Sequence, residues 1–241
     1  MTFKNLKIVG SSHIAQQSMD EVKRAFSSFE PDIVAVELDI KRLHALQSGE
    51  SKLRMRDIFR VGVKGFLFMV LGRYVQKKLG KFVGVDAGSE MKTAINLARE
   101  KGIKVALIDR DIEITLKRFS KVMGWREKWH FFQDLFLGVF SRKKEMKKYG
   151  IENLDLSKVP SKKLIEKLIS VFRARYPSIY RVLIAERDEV MAANIAQIRA
   201  NNPDRKLLVV VGAGHEEGIK RLLKEREEGT TYSFTINSTK S

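Results

Sequence analysis

The chain has 241 residues, no cysteine, 44% hydrophobic and 31% charged residues, and a formal charge of +17. This composition excludes disulfides, thiolate metal sites and a cysteine nucleophile, and it fits a single folded domain over residues 1–241. No apolar run reaches the roughly 18–20 residues of a membrane-spanning helix, and residues 1–10 show no secretory pattern, so a cytoplasmic protein is expected.

Residues 6–9 predict a short strand and residues 14–29 a helix, with Met19, Val22, Phe26 and Phe29 at helical spacing. Residues 33–38 form a nearly continuous apolar run, as expected of a strand buried on both faces. Residues 51–81 read as a basic, amphipathic helical segment, densely apolar over 58–71. Such a segment suits an anionic membrane surface, an internal packing face or a homodimer contact. Further strands are predicted at 82–86 and 103–108, with a helix over 91–101 between them that ends near Gly102. Residues 112–200 contain no convincing strand and read as a large helical insertion, with a loop at 153–160. Residues 207–211 are the strongest strand, followed by a helix from about 216 to 228 and a possible last strand at 232–236. The expected fold is α/β: a mainly parallel central sheet with crossover helices and a large basic helical insertion.

The positive charge is not evenly spread. Residues 51–181 hold 31 Lys and Arg against 13 Asp and Glu, a net of +18, while both flanks are near neutral. This block could meet phosphate, an anionic membrane or an acidic partner, or form a solvated surface. Nucleic-acid binding has no recognised motif behind it. Walker-type and Gly-x-Gly-x-x-Gly loops are absent, which removes support for nucleotide binding.

Two of the four His share a local pattern. Gly10-Ser11-Ser12-His13 follows the first strand, and Gly212-Ala213-Gly214-His215 follows the last strong one. In an open α/β sheet, ligands bind outside the carboxyl ends of the strands. Imidazole there offers a metal ligand or a proton acceptor near neutral pH. Acids gather at the same predicted edge: Glu37 ends one run, Asp86 and Glu90 follow another, and Asp109 and Asp111 a third. With two His they suit a divalent metal or a general base. Read alone, each acid is a helix cap or an ion-pair partner, and Asp86, Ser89 and Asp111 are the readiest caps. Arg42, Arg110, Arg118 and Arg187 stand near the acids, either to grip a substrate or to neutralise them. His44 and His130 receive no role.

Six short motifs occur in one order: Gly10–His13 with Ser18, Val36-Glu37-Leu38 with Arg42, Gly88-Ser89-Glu90-Met91, Ile108-Asp109-Arg110-Asp111 with Thr115 and Arg118, Glu186-Arg187-Asp188 with Met191, and Gly212–His215. Over residues 6–225 this set resembles the TraB family, which includes the PrgY pheromone-shutdown proteins and belongs with the TIKI, GumN and erythromycin-esterase-like group. The resemblance implies a metal-dependent hydrolase of peptidase type acting on an extended peptide. It implies His13, His215, Glu37 and Glu90 as ligands of a divalent ion (Mn²⁺, Co²⁺ or Zn²⁺). Glu37 and Glu90 would be the catalytic acids, and Arg110 and Arg118 would help form the pocket. Many members carry a hydrophobic C-terminal membrane region, which residues 1–241 do not include. The alternative is a non-catalytic protein that sequesters a peptide or regulates a membrane partner.

Overall fold

The structure is a computed structural model, and it describes residues 4–11, 16–48, 59, 88–122, 124–127, 129–130 and 162–229. The predicted strands at 82–86 and 232–236, the loop at 153–160 and His13 lie outside these residues, as does the 51–81 segment except Phe59.

Four parallel strands form one sheet: β1 (Leu6–Ser11), β2 (Ile33–Val36), β3 (Lys104–Leu107) and β4 (Leu207–Gly212), in the spatial order β1-β4-β2-β3. The register runs Leu6 against Leu207 and Ile33 against Leu207, so β4 lies between β1 and β2. Parallel pairing requires long crossovers, and helices make up most of their described residues. Helix α1 (Gln16–Phe29) joins β1 to β2. After β2 come α2 (Ile40–Ser48) and α3 (Ser89–Glu100), which leads into β3. Between β3 and β4 lie α4 (Ile112–Val122), α5 (Lys162–Arg175), α6 (Pro177–Tyr180), a π-helical turn (Arg181–Ala185) and α7 (Glu186–Asn201). Helix α8 (Ala213–Gly229) follows β4 without a gap. No strand interrupts the described residues between 112 and 200, as expected from the sequence.

The apolar run in β2 and β4 has its physical reason in two separate cores. Ile33, Ala35, Leu207, Val209 and Val211 point one way, onto Met191 and Ile195 of α7 and Ile219 and Leu223 of α8. Val34, Val36, Leu208 and Val210 point the other way, onto Val22 and Phe26 of α1 and Met91, Ala94 and Ile95 of α3. Alternation along a strand sends successive side chains to opposite faces, so a strand covered by helices on both sides needs apolar residues throughout. A third, smaller cluster of Phe119, Ile179 and Val182 ties α4 to α6 and the π turn. No helix among the described residues is long and apolar enough to cross a membrane.

Candidate active site

Each crossover brings a chain end to the carboxyl edge of the sheet. Glu37 follows β2, Asp109 follows β3 by two residues, and His215 stands in the first turn of α8. The helix after β4 therefore begins earlier than the sequence pattern suggests, at Ala213, and His215 is helical. Helix α3 ends just before β3 begins, so its first turn, with Glu90, lies at the same carboxyl edge. Glu90 is 1% exposed there.

The centre of the edge is Arg187, in the first turn of α7. Its Nε donates to Asp109 Oδ2 at 3.0 Å, and its Nη2 donates to the same oxygen at 2.5 Å and to Glu37 Oε1. Its Nη1 donates to the Leu183 carbonyl at 3.1 Å and to His215 Nε2 at 3.0 Å. A guanidinium only donates, so His215 Nε2 accepts. The imidazole proton then sits on Nδ1, which donates to Asp188 Oδ1 at 2.6 Å. Glu37 completes the ring of contacts by accepting the Gly212 N–H at 2.6 Å, at the N-terminus of α8, where the helix dipole favours a negative group. Glu37, Asp188 and His215 are almost wholly buried, and Arg187 nearly so.

The electrostatics follow from this packing. Burial pushes the Asp109 carboxyl up, but Arg187 and Arg42 more than offset it and hold it below the ordinary range. Burial also pushes the Asp188 carboxyl up, and there the His215 bond only partly opposes it, so it stays raised. Burial works against the Arg187 charge, and Glu37 and Asp109 reverse that, so the guanidinium is held more firmly charged than usual.

Arg110 and Arg118 go elsewhere. Arg110 donates to Glu186 Oε2 at 2.9 Å, Thr115 Oγ1 at 2.9 Å and the Val182 carbonyl at 2.8 Å. Arg118 clasps both Glu186 oxygens, at 2.6 and 2.5 Å. Together they hold the Glu186 carboxyl below its ordinary range, mainly through the Arg118 bond. Arg42 bridges Asp39, at 2.7 Å, and Asp109. Asp39 and Asp111 accept the backbone N–H groups that open α2 and α4, so Asp111 is a cap as expected.

Residues 186–188 show how one helical turn serves three tasks. Successive side chains on a helix diverge by about 100°. Glu186 faces α4, Arg187 the acids of β2 and β3, and Asp188 the imidazole on α8. The π turn just before them offers the Val182 and Leu183 carbonyls to the two guanidinium groups. Asp188 carried no assignment from the sequence. Its signal was Gly218, three residues after His215 in the same helix. A Cβ at Gly218 would lie 2.8 Å from Asp188 Cγ and closer still to Oδ2, so only glycine lets α8 approach the carboxylate. Ser11, at the end of β1 opposite Gly212, has a buried hydroxyl with no hydrogen-bond partner among the described residues.

The described residues do not fit a metal ion. No group of three or more His, Asp or Glu among them is arranged to hold one. Both ring nitrogens of His215 and both oxygens of Glu37 already have protein partners, and Arg187 supplies the positive charge between them.

A family model described as the TraB/PrgY/gumN family matches residues 2–232. The uncharacterized protein MJ1365 of Methanocaldococcus jannaschii is 36% identical over 228 residues, covering 93% of this chain and 55% of that protein. The human TraB domain-containing protein is 25% identical over 240 residues, covering 89% of this chain and 61% of that protein. The chain thus spans a little over half the length of these relatives.

Proposed function

The chain belongs to the TraB/PrgY/gumN family, and from that premise we propose that the carboxyl edge of its sheet is a hydrolytic site for an extended peptide. One observation carries this reading: a buried imidazole with its proton fixed on Nδ1 by Asp188 and its Nε2 lone pair turned towards a guanidinium. In the resting site Arg187 Nη1 occupies that lone pair. A substrate carbonyl that takes over Nη1 frees Nε2 to accept a proton from water. The water oxygen then bonds to the carbonyl carbon, and Arg187 stabilises the oxyanion. The C–N bond breaks, and His215 returns its proton to the leaving amine while Asp188 steadies the imidazolium in between. Glu37 positions Arg187, Glu90 adds an acid at the same edge, and Arg110 and Arg118 fix α7 through Glu186. No step is routed through a metal ion.

The test is cleavage of a peptide library by the purified chain, with His215→Ala and Asp188→Asn and with folding checked by circular dichroism. Loss of a general base of this kind costs about 10²–10⁴ in rate. Wild-type cleavage by both folded variants refutes the reading.

One observation favours the binding alternative. Trp125, beside Arg126, and Trp129 are both helical and are 84% and 65% exposed. Indole rings beside cationic side chains suit an anionic membrane interface. This reading expects Trp125→Ala/Trp129→Ala to weaken co-sedimentation with anionic vesicles and to leave peptide cleavage unchanged. Undiminished co-sedimentation removes it.

A further inference from the structure

A concavity of about 370 Å³ lies at the amino edge of the sheet, at the other end from the proposed peptide site. Small-ligand pockets commonly hold about 300–1,000 Å³. Three pieces of chain, far apart in sequence, line it: residues 4–5 before β1, residues 196–205 from the last turns of α7 into the loop before β4, and residues 223–227 near the end of α8. The backbone holds the first two together. The Leu207 N–H donates to the Asn5 carbonyl at 2.8 Å, and the Arg205 N–H to the Asn202 carbonyl at 3.2 Å. Ala196 and Leu223 pack in the core beneath α7 and α8 and give the hollow an apolar portion of wall.

The charged lining is one-sided. Lys4, Arg199, Arg205 and Arg226 stand there with one carboxylate, Glu227, an excess of three positive charges. Counting Asp32, which Arg205 meets at 3.0 Å, still leaves two. The basic composition of the chain does not account for this, because residues 182–241 hold 9 basic and 9 acidic side chains. Arg199 and Arg226 lie in the last turns of α7 and α8, where a cation answers the helix dipole. Lys4 and Arg205 belong to no helix, so that role does not bring them here. Like charges gathered round one hollow repel one another, and an anion inside it reverses the sign.

We propose that this hollow binds a small phosphate- or diphosphate-bearing molecule. Guanidinium forks match phosphate oxygens in pairs. A tetrahedral phosphate accepts them from several directions, as cations on three pieces of chain require, whereas a planar carboxylate offers two oxygens. The apolar wall leaves room for an organic remainder. The inference concerns the edge remote from the peptide site and stands whether or not that site cleaves peptides.

The test titrates inorganic pyrophosphate into the purified chain by calorimetry at fixed salt. The comparison is with Arg205→Gln/Arg226→Gln and with Lys117→Gln/Lys121→Gln, which removes the same charge from exposed positions on α4. Folding is checked by circular dichroism. The first variant is expected to bind at least about ten-fold more weakly, as loss of charge-assisted bonds implies, and the second nearly as well as wild type. Absence of pyrophosphate binding to the wild type overturns the proposal. Equal losses in both variants overturn it too, because the anion is then drawn by the overall charge. Citrate, of similar charge, is expected to bind more weakly, and equal or tighter citrate binding overturns the phosphate assignment. If Arg205→Gln/Arg226→Gln does not fold, Lys4→Gln/Arg226→Gln replaces it, and unchanged affinity there overturns the proposal.

Discussion

The two edges of the sheet use the same kinds of side chain to different ends. At the amino edge, Asp32 meets Arg205 at 3.0 Å and the Lys206 N–H, and Arg199 meets Glu227 at 2.6 Å, with at least one partner of each ion pair well exposed. At the carboxyl edge, Glu37, Asp109, Asp188, Arg187 and His215 are buried and share partners. Solvent screens the first kind of pair and leaves it worth little. Desolvation makes the second kind costly to break, because each removed partner strands another charge. Buried, interlocked charge at one end of an otherwise apolar sheet is a cost that folding alone does not require, and it is what supports placing the proposed site at that end.

The largest break in this contrast comes from Arg187→Met. Removing one member of a buried charged network costs about 3–5 kcal/mol, read as a lower denaturation midpoint in urea. A loss below about 1 kcal/mol would place the carboxyl edge in the same class as the amino edge. Glu186→Gln comes next. It removes the negative charge and one of the two acceptor oxygens that Arg110 and Arg118 share, and charge-assisted bonds of this kind are worth about 1.5–3 kcal/mol. The pH dependence has a defined sign. The folded Glu186 carboxyl titrates below its ordinary value of 4.5, so its stabilisation is present above that value and is lost as pH falls through the folded one. Acid unfolding of Glu186→Gln should therefore be shallower than that of wild type below pH 4.5. An identical acid limb would show that Glu186 is not held by the two arginines.

Gly218→Ala sharpens the contrast from inside a helix. Alanine is the better helix former by about 1 kcal/mol, so on propensity alone the change stabilises. The added Cβ runs into Asp188, which is buried and bonded to His215 and has little room to retreat. Overpacking costs about 1–3 kcal/mol, so a net loss of stability is expected, together with a shift in the His215 ring-nitrogen resonances. A stabilised variant with unmoved resonances would mean that Asp188 does not depend on that close approach.

The sheet was legible in the sequence because burial on both faces writes long apolar runs, as in residues 33–36 and 207–211. His215 and Glu37 were legible as edge residues because the ends of β4 and β2 can be counted along the chain. Their partners were not. Nothing in residue order says that β4 inserts between β1 and β2, and this insertion brings Gly212 to Glu37. Arg110 follows Asp109 directly and so looked like part of the pocket, but adjacent residues diverge, and its guanidinium turns towards Glu186. Arg187 is 78 positions from Asp109 and 150 from Glu37 in sequence, and only the packing of α7 on the sheet joins them. The pairing of Asp188 with His215 is likewise tertiary, and Gly218 was its one local trace.

The smallest predicted effect tests the other edge. Glu227→Gln removes the acid facing Arg199 across the α7–α8 contact, where the carboxylate is 48% and the guanidinium 27% exposed. Half in water, both groups recover most of their solvation when the pair is broken, and holding two long side chains in one geometry has its own entropy cost. The expected loss is about 0.2–1 kcal/mol, and it should shrink as salt is raised, because exposed pairs are screened within about 10 Å at 0.1 M ionic strength. The same salt series should leave the cost of Arg187→Met nearly unchanged, since water and ions do not reach between Arg187, Asp109 and Glu37 as readily. If both costs fell together with salt, burial would not be what separates the two edges, and the carboxyl cluster would be an ordinary surface network.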